Sequence, residues 1–196
     1  MGKFYTSVRL EESLCMGCIN CIKRCPTEAI RVRKGKAVIT KEFCIDCGEC
    51  IRICKHHAKL ATYDKLEMLE NYKYKVALPA PSLYAQVNNL EDTNILLHGL
   101  LRMGFDDVFE VACAAELVTA YTRLYVKRKD VKKPVISSAC PAISRMISMN
   151  YPMLCENIMP ILPPIDIAAM LAREKVMGEH PELAPEDIGI IFISYN

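Results

Sequence analysis

The chain has 196 residues, enough for one small domain and one of ordinary size. Hydrophobic residues make up 52% of it, which suffices for a packed core, and no uninterrupted apolar run reaches the length of a membrane span. A net charge of +2 argues against a dedicated nucleic-acid binder.

The N-terminal region, residues 1–61, contains one pattern twice. A short strand is predicted over residues 8–10 and a second over 37–40, and each precedes a run of four cysteines spaced C-x2-C-x2-C-x3-C. The runs are offset by 29 positions, and residues 29–32 after the first correspond to 58–61 after the second. We expect a pseudo-twofold α+β domain with a little sheet and two short helices. The cysteines of the first run are Cys15, Cys18, Cys21 and Cys25, and those of the second are Cys44, Cys47, Cys50 and Cys54.

This spacing is typical of a bacterial ferredoxin that holds two 4Fe–4S clusters. A tight loop turns the first three thiolates of each run toward one point, and the fourth cysteine binds the other cluster. Structural zinc sites instead use pairs of cysteines with a longer spacer, and a disulfide framework needs an oxidising compartment. We therefore predict that cluster 1 is held by Cys15, Cys18, Cys21 and Cys54, and cluster 2 by Cys44, Cys47, Cys50 and Cys25.

Clusters of this kind carry one electron at a time, so the region is predicted to be an electron-transfer module. Its expected partners are low-potential redox proteins such as another ferredoxin. No secretory signal precedes the cysteines, and a cytoplasmic location is expected.

The remainder of the chain follows a different pattern. Residues 62–74 are polar and charged and are predicted to be a linker or a short helix. Strands and helices then alternate with short joints, which predicts an α/β lobe over 75–196 with a parallel sheet flanked by helices. Thr93 is the predicted N-cap of the first helix in this lobe and Gly104 its C-cap. The predicted strands cover 75–78, 107–111, 134–137 and 188–194, and the predicted helices cover 93–103, 114–127 and 164–177, with a further helix beginning at residue 141.

Cys140 is the most suggestive single residue of this lobe. Functional groups of an open parallel sheet gather at the carboxyl ends of its strands, and Cys140 follows the predicted strand at 134–137. Pro141 suits the first position of a helix, and a helix N-terminus favours a thiolate, so Cys140 is a reasonable metal ligand. The alternative is a buried, inert cysteine, which is what we expect of Cys113 and Cys155.

Several motifs of the lobe resemble those of iron–iron (FeFe) hydrogenases. The sequence Ser-Ser-Ala-Cys-Pro-Ala-Ile at 137–143, with Tyr-Pro at 151–152 and Leu-Pro-Pro at 162–164, is similar to the first cluster-binding motif of that family. Residues 104–110 resemble the strand entry of its catalytic domain, and an upstream two-cluster ferredoxin domain is typical of it. The resemblance runs from about residue 10 to the last strand. It implies a catalytic domain of two lobes with an active-site cluster between them, held by four cysteines of which Cys140 matches the first.

The departures from the family are equally informative. Its other three cluster ligands have no counterpart before residue 196, so we expect this chain not to assemble the active-site cluster. Ala139 stands where the family has an acidic cysteine, and Met159 where it has a serine of the proton route. The two helix carboxylates of that route align with Thr122 and Tyr125. A proton path needs groups that take and give a proton, and alanine and methionine do not.

These observations predict an iron–sulfur electron-transfer protein that relays single electrons through two 4Fe–4S clusters, with no catalytic residue in this chain. One interpretation is a truncated piece of a divergent, sensory-type hydrogenase-like protein whose second lobe or signalling domain lies further on. A natural short protein with a leftover lobe is the other. In the complete protein, hydrogenase activity or hydrogen and redox sensing, with the active-site cluster anchored at Cys140, is the alternative function.

Overall fold

The chain divides into two compact units. The structure, a computed structural model, describes residues 6–88 and 90–194. Residues 6–64 and 140–158 form the first unit, and residues 65–139 and 159–194 form the second. The predicted domain limits at residues 1 and 196 lie outside the described residues, and the domain boundaries stay a prediction. Among the described residues, no helix is long and apolar enough to cross a membrane.

The first unit is built from two antiparallel strand pairs and two short helices. The predicted strand at 8–10 is confirmed as β1, and the predicted strand at 37–40 is present one residue earlier as β3. β1 pairs with β4, and β2 pairs with β3 through a turn in which Lys34 and Gly35 are both left-handed, with φ of 48° and 73°. The elements are β1 (Val8–Leu10), α1 (Asn20–Arg24), β2 (Ile30–Arg33), β3 (Lys36–Ile39), α2 (Glu49–Arg52) and β4 (Lys59–Ala61).

The sequence repeat is also a repeat of backbone conformation. Gly17 and Asp46, which are 29 positions apart, are both left-handed, with φ of 67° and 53°. Glu28 and His57 are offset by the same number of residues and have φ of 52° and 49°. A left-handed residue other than glycine is uncommon, so two matched positions show that both cysteine runs form the same loop.

A later segment of the chain completes the first unit. It contains the helix α6 (Pro141–Asn150), followed by a 3₁₀ helix at Pro152–Asn157. The guanidinium of Arg145 on α6 donates to the carbonyl oxygen of Lys41 at 3.0 Å. This hydrogen bond ties α6 to the loop that precedes the second cysteine run.

The second unit is a three-stranded parallel sheet with helices on both faces, as the α/β prediction required. β5 lies between β6 and β7, and residues of β5 from Tyr74 to Pro79 pair with β7 from Ile188 to Ile193. A 3₁₀ helix at Leu66–Asn71 precedes β5 in the segment predicted as a linker or short helix. The elements are β5 (Tyr74–Pro79), α3 (Pro81–Tyr84), α4 (Thr93–Arg102), β6 (Asp107–Val108), α5 (Val111–Tyr125), α7 (Pro164–Glu179) and β7 (Ile188–Ile193).

The alternation of side chains along β5 creates two hydrophobic cores. Val76 and Leu78 lie on one face and pack with residues of α5 and α7, whereas Ala77 lies on the other face with Leu100 and Phe105. Both faces of β5 are covered, and the strand is buried from Val76 to Pro79, whereas Tyr74 and Lys75 at its start are half-buried.

One predicted strand is absent and another is shorter than predicted. The segment 134–137 forms no strand, and only residue 136 makes an isolated bridge. Pro134 has no N–H to donate to a ladder, and the carbonyl of Ile136 accepts from the backbone of Met159 at 2.9 Å instead. The strand predicted at 107–111 is only two residues long. Apolar residues at 111, 114 and 118 have helical spacing, and they start α5 three residues earlier than predicted.

The N-cap of α4 was also displaced by one residue. Asp92, rather than Thr93, is the cap, and its carboxylate accepts from the backbone N–H of Asn94 at 2.9 Å. Gly104 follows the C-cap residue Met103 and has a φ of 103°. That conformation is one that glycine adopts readily.

Candidate iron–sulfur sites

The eight cysteines of the two runs are arranged as two groups of four, each around its own cavity. Each group takes three cysteines from one run and the fourth from the other run. The first quartet consists of Cys15, Cys18, Cys21 and Cys54. The second quartet consists of Cys44, Cys47, Cys50 and Cys25.

Burial of the thiols follows the repeat. The first and third cysteines of each run are buried, the second is exposed and the fourth is half-buried. α1 carries Cys21 and α2 carries Cys50, so a helix begins within each loop and directs its cysteine inward. Each cavity therefore has thiols at its inner wall and one thiol at its solvent side. Among the described residues, no group of three or more histidine, cysteine, aspartate or glutamate side chains is spaced to hold a single metal ion.

The backbone donates a hydrogen bond to the fourth sulfur of each run. The N–H of Ala29 points to Sγ of Cys25 and the N–H of Ala58 to Sγ of Cys54, both at 3.3 Å. The left-handed residues Glu28 and His57 immediately before these alanines turn the N–H groups toward the sulfurs. Backbone donors of this kind stabilise thiolates that bind iron, so the donor set and its surroundings fit two 4Fe–4S clusters.

Burial makes several of these thiols hard to ionise. It raises the pKa of Cys21, of Cys44 and, most strongly, of Cys50, which reaches about 11. At Cys15, the same burial effect is outweighed by backbone hydrogen bonds from Gly17 and Ala37, together with the charges of nearby lysines, and the pKa is lowered. Metal ligation needs the thiolate, so loading of these sites must release protons.

Lys59 is a site residue that the sequence analysis missed. It lies on β4, is only 2% exposed and lines the cavity of the first quartet. Its ammonium donates to the carbonyl oxygen of Ala37 at 3.3 Å. The repeat carried the signal, because Lys59 occupies the position of the apolar Ile30 in the other copy.

Thr6 and Asp46 were missed at the second quartet. The hydroxyl of Thr6 lies 2.7 Å from Oδ1 of Asp46 and 3.3 Å from Sγ of Cys44. The same carboxylate oxygen accepts from the backbone of Ser7 at 3.1 Å. These contacts hold a carboxylate beside the loop of the second run.

Cys140 lies apart in sequence from both quartets and is exposed at the N-terminus of α6. It is the N-cap residue, and Pro141 occupies the first turn as predicted. Cys113 and Cys155 are not core residues, contrary to expectation. Cys113 is exposed on α5 because the apolar stripe of that helix runs through other positions, and Cys155 is half-buried.

The carboxyl ends of β5 and β6 are joined by a polar contact within the second unit. The hydroxyl of Tyr84 on α3 donates to the carboxylate of Glu110 at 2.5 Å. Burial and this hydrogen bond raise the pKa of Tyr84. The side chains of Tyr84 and Glu110 thus link the ends of neighbouring strands, where the sequence predicted functional residues.

Two family models match the chain in the order in which its two regions occur. Residues 7–55 match a 4Fe-4S dicluster domain, and residues 73–194 match the C-terminal domain of the iron only hydrogenase large subunit. These matches agree with the predicted resemblance to a two-cluster ferredoxin and to a hydrogenase.

Curated relatives match the same two regions. The chain is 25% identical over 185 residues to the periplasmic [Fe] hydrogenase large subunit of Nitratidesulfovibrio vulgaris, covering 85% of this chain and 44% of that protein. It is 48% identical over 44 residues to a subunit of an ion-translocating oxidoreductase complex of Methanosarcina acetivorans, covering 22% of this chain and 17% of the relative. The chain thus spans less than half the length of both relatives.

Proposed function

This chain belongs to the iron-only hydrogenase large-subunit family, and we propose that it acts there as an electron relay with two 4Fe–4S clusters. Each cluster would supply a one-electron redox centre. The protein's own part is to hold eight thiolates, shield the inner ones from water and set the charge around them.

The arrangement of the cysteines carries this proposal. Two cavities each lined by four cysteines provide the number and type of ligand that a 4Fe–4S cluster requires. The exchange of Cys25 and Cys54 between the two halves matches the ligation rule of two-cluster ferredoxins. A mononuclear zinc site needs only one group of four, without such an exchange.

We also propose that the electrons come from or go to low-potential proteins such as another ferredoxin, in the cytoplasm. All 11 cysteines are free, which suits a reducing compartment. The one exposed cysteine of each run, Cys18 and Cys47, lies where a partner protein could approach the cluster edge. Fractionation of cells that express the native gene tests the compartment.

A cofactor census tests the relay. After anaerobic reconstitution, the proposal expects about eight irons and about eight acid-labile sulfides per chain, with an EPR signal after reduction. The variant with Cys113→Ser and Cys155→Ser is the matched control and should load equally. Iron content near one or two per chain, without sulfide, would contradict the relay and favour a mononuclear metal.

The second candidate function is hydrogen turnover or hydrogen sensing by a longer protein, with an active-site cluster anchored in part by Cys140. The match of residues 73–194 to the hydrogenase domain and the exposed position of Cys140 at a helix N-terminus favour it. The coding sequence after residue 196 and a hydrogen-uptake assay on its product are the test. Hydrogen turnover by the present chain alone would overturn the view that it is only a relay.

A further inference from the structure

The two quartets differ in the charges around them, although the backbone that forms them is repeated. The offset of 29 residues pairs Lys59, at the cavity of the first quartet, with Ile30 at that of the second. It also pairs Asp46 in the second loop with Gly17 in the first. A cation therefore stands at one cavity where the other has a hydrocarbon side chain. A carboxylate stands in one loop where the other has no side chain.

The burial of Lys59 calls for a negative charge beside it. The residue is 2% exposed, and a neutral carbonyl is its hydrogen-bond acceptor. No carboxylate within residues 6–88 and 90–194 forms an ion pair with it. A buried ammonium is unfavourable unless an anionic group compensates it. Four iron-bound thiolates in the cavity that Lys59 lines are such a group.

A second lysine adds to the positive charge near the first quartet. Nζ of Lys36 donates to the carbonyl oxygens of Glu12 at 2.7 Å and of Cys15 at 2.8 Å. Lys59 lines the cavity of the first quartet and not that of the second.

The second quartet has a carboxylate nearby. Oδ1 of Asp46 lies 3.5 Å from Sγ of Cys44 and is held there by Thr6 and Ser7. Glu49 lines the same cavity, but Arg52 pairs with it at 2.7 Å and offsets its charge.

Neutral hydrogen-bond donors do not cancel the difference in charge between the two quartets. The hydrogen bonds from Ala29 to Cys25 and from Ala58 to Cys54 have the same length and serve one quartet each. The hydroxyl of Thr6 has a single proton, and Asp46 is the nearer acceptor. Full charges therefore decide the comparison.

On the premise of the proposed function, we propose that Lys59, assisted by Lys36, gives the site of the first quartet the higher reduction potential, and that Asp46 keeps the second lower. Reduction adds one negative charge to a site, so a nearby cation stabilises the reduced state and a carboxylate destabilises it. The first electron that the protein accepts is then held beside Lys59, and the second quartet is the donor side of the pair.

An EPR-monitored redox titration of the reconstituted full chain tests this assignment. We expect two midpoints in the wild type. Lys59→Met should lower the upper midpoint by about 59 mV or more, which is a tenfold change in a one-electron equilibrium. Lys59→Arg keeps the charge and should leave the upper midpoint near its wild-type value. Asp46→Asn keeps an acceptor for Thr6 and tolerates a left-handed backbone, and it should raise the lower midpoint alone.

The outcomes separate this inference from the proposed function. Fewer than about eight irons in the wild type contradict the relay itself. A full iron content with a single midpoint, or an upper midpoint that Lys59→Met leaves in place, overturns the role of Lys59. If Lys59→Met fails to load iron, the upper midpoint is measured in Lys59→Gln and the lower midpoint in Asp46→Asn. A lower midpoint that Asp46→Asn leaves in place then contradicts the inference.

Discussion

A side chain on Gly17 would overlap the carbonyl oxygen of Gly35, because the first cysteine loop lies directly against the β2–β3 turn. The φ of Gly17 is 67°, so the position also demands a left-handed backbone. Two requirements, one of space and one of conformation, thus coincide at a residue between two cysteines of the first quartet.

Gly17→Ala should therefore damage the first cluster site more than a comparable change elsewhere. Gly48 has a φ of 73° and open space within 4 Å of the position that a Cβ would take, so Gly48→Ala carries only the backbone cost of about 1–2 kcal/mol. We expect Gly17→Ala to cost about 1–3 kcal/mol more, since Gly35 must also move. The stability of both variants is measured by following the loss of cluster absorbance in the visible range on heating under argon. Equal losses would show that the contact with Gly35 is unimportant.

The exchange of Cys25 and Cys54 can be tested by combining substitutions. If Cys25 serves the second quartet, Cys25→Ser with Cys47→Ser should lose no more iron than either change alone, because both damage one site. Cys25→Ser with Cys18→Ser should lose the iron of both sites. Iron and sulfide analysis after identical reconstitution gives the answer. The reverse pattern would mean that each run holds its own cluster.

Cys140→Ser should leave the iron content of this chain unchanged, since on the proposed function the eight cysteines of the quartets hold all of it. Cys113→Ser is the control, because Cys113 is also exposed and lies outside both runs. A fall in iron for Cys140→Ser but not for Cys113→Ser would show that Cys140 already binds metal.

Removal of iron should unfold the strands of the first unit before those of the second. A small domain with cysteines in its core loses much of its stability without the metal, whereas β5 and β7 belong to a separate hydrophobic core. Amide hydrogen exchange during chelation should report early loss of protection in β1–β4 and retained protection in β5 and β7. Simultaneous loss in both units would contradict this order.

Loss of iron should also accelerate as the pH falls. Burial raises the pKa of the Cys50 thiol to about 11, so the freed sulfur takes up a proton throughout the neutral range, and acid favours this protonated state further. We expect chelation to be faster at about pH 6 than at about pH 8, followed by the decay of visible absorbance. A rate independent of pH would mean that protonation of the ligands does not limit release.

The sequence predicted the structure best where the spacing of residues along the chain indicates the local conformation. The cysteine offset predicted a duplicated loop, and the matched left-handed residues Gly17 and Asp46 show that duplication in the backbone. Residues 75–78 predicted a buried strand, and β5 is buried from Val76 onward. Both signals are local and depend on few competing contacts.

Other features depend on contacts that spacing does not reveal. The segment 134–137 has the composition of a strand, but the backbone at Ile136 bonds to Met159, far along the chain. Lys59 belongs to the three-residue strand β4, and its place at the cavity of the first quartet is visible only in the structure. The repeat aligns Lys59 with Ile30 in the sequence, but only the structure shows that the charge of Lys59 is buried beside four cysteines.

The pairing of β5 with β7 has a consequence for how the protein is made. Tyr74 pairs with Ile188, a partner synthesised 114 residues later. At about 5–20 residues per second, the β5 edge that pairs with β7 keeps its backbone groups without their partner for about 6–23 seconds. All eight cysteines of the two quartets are synthesised by residue 54, long before the last strand of the sheet.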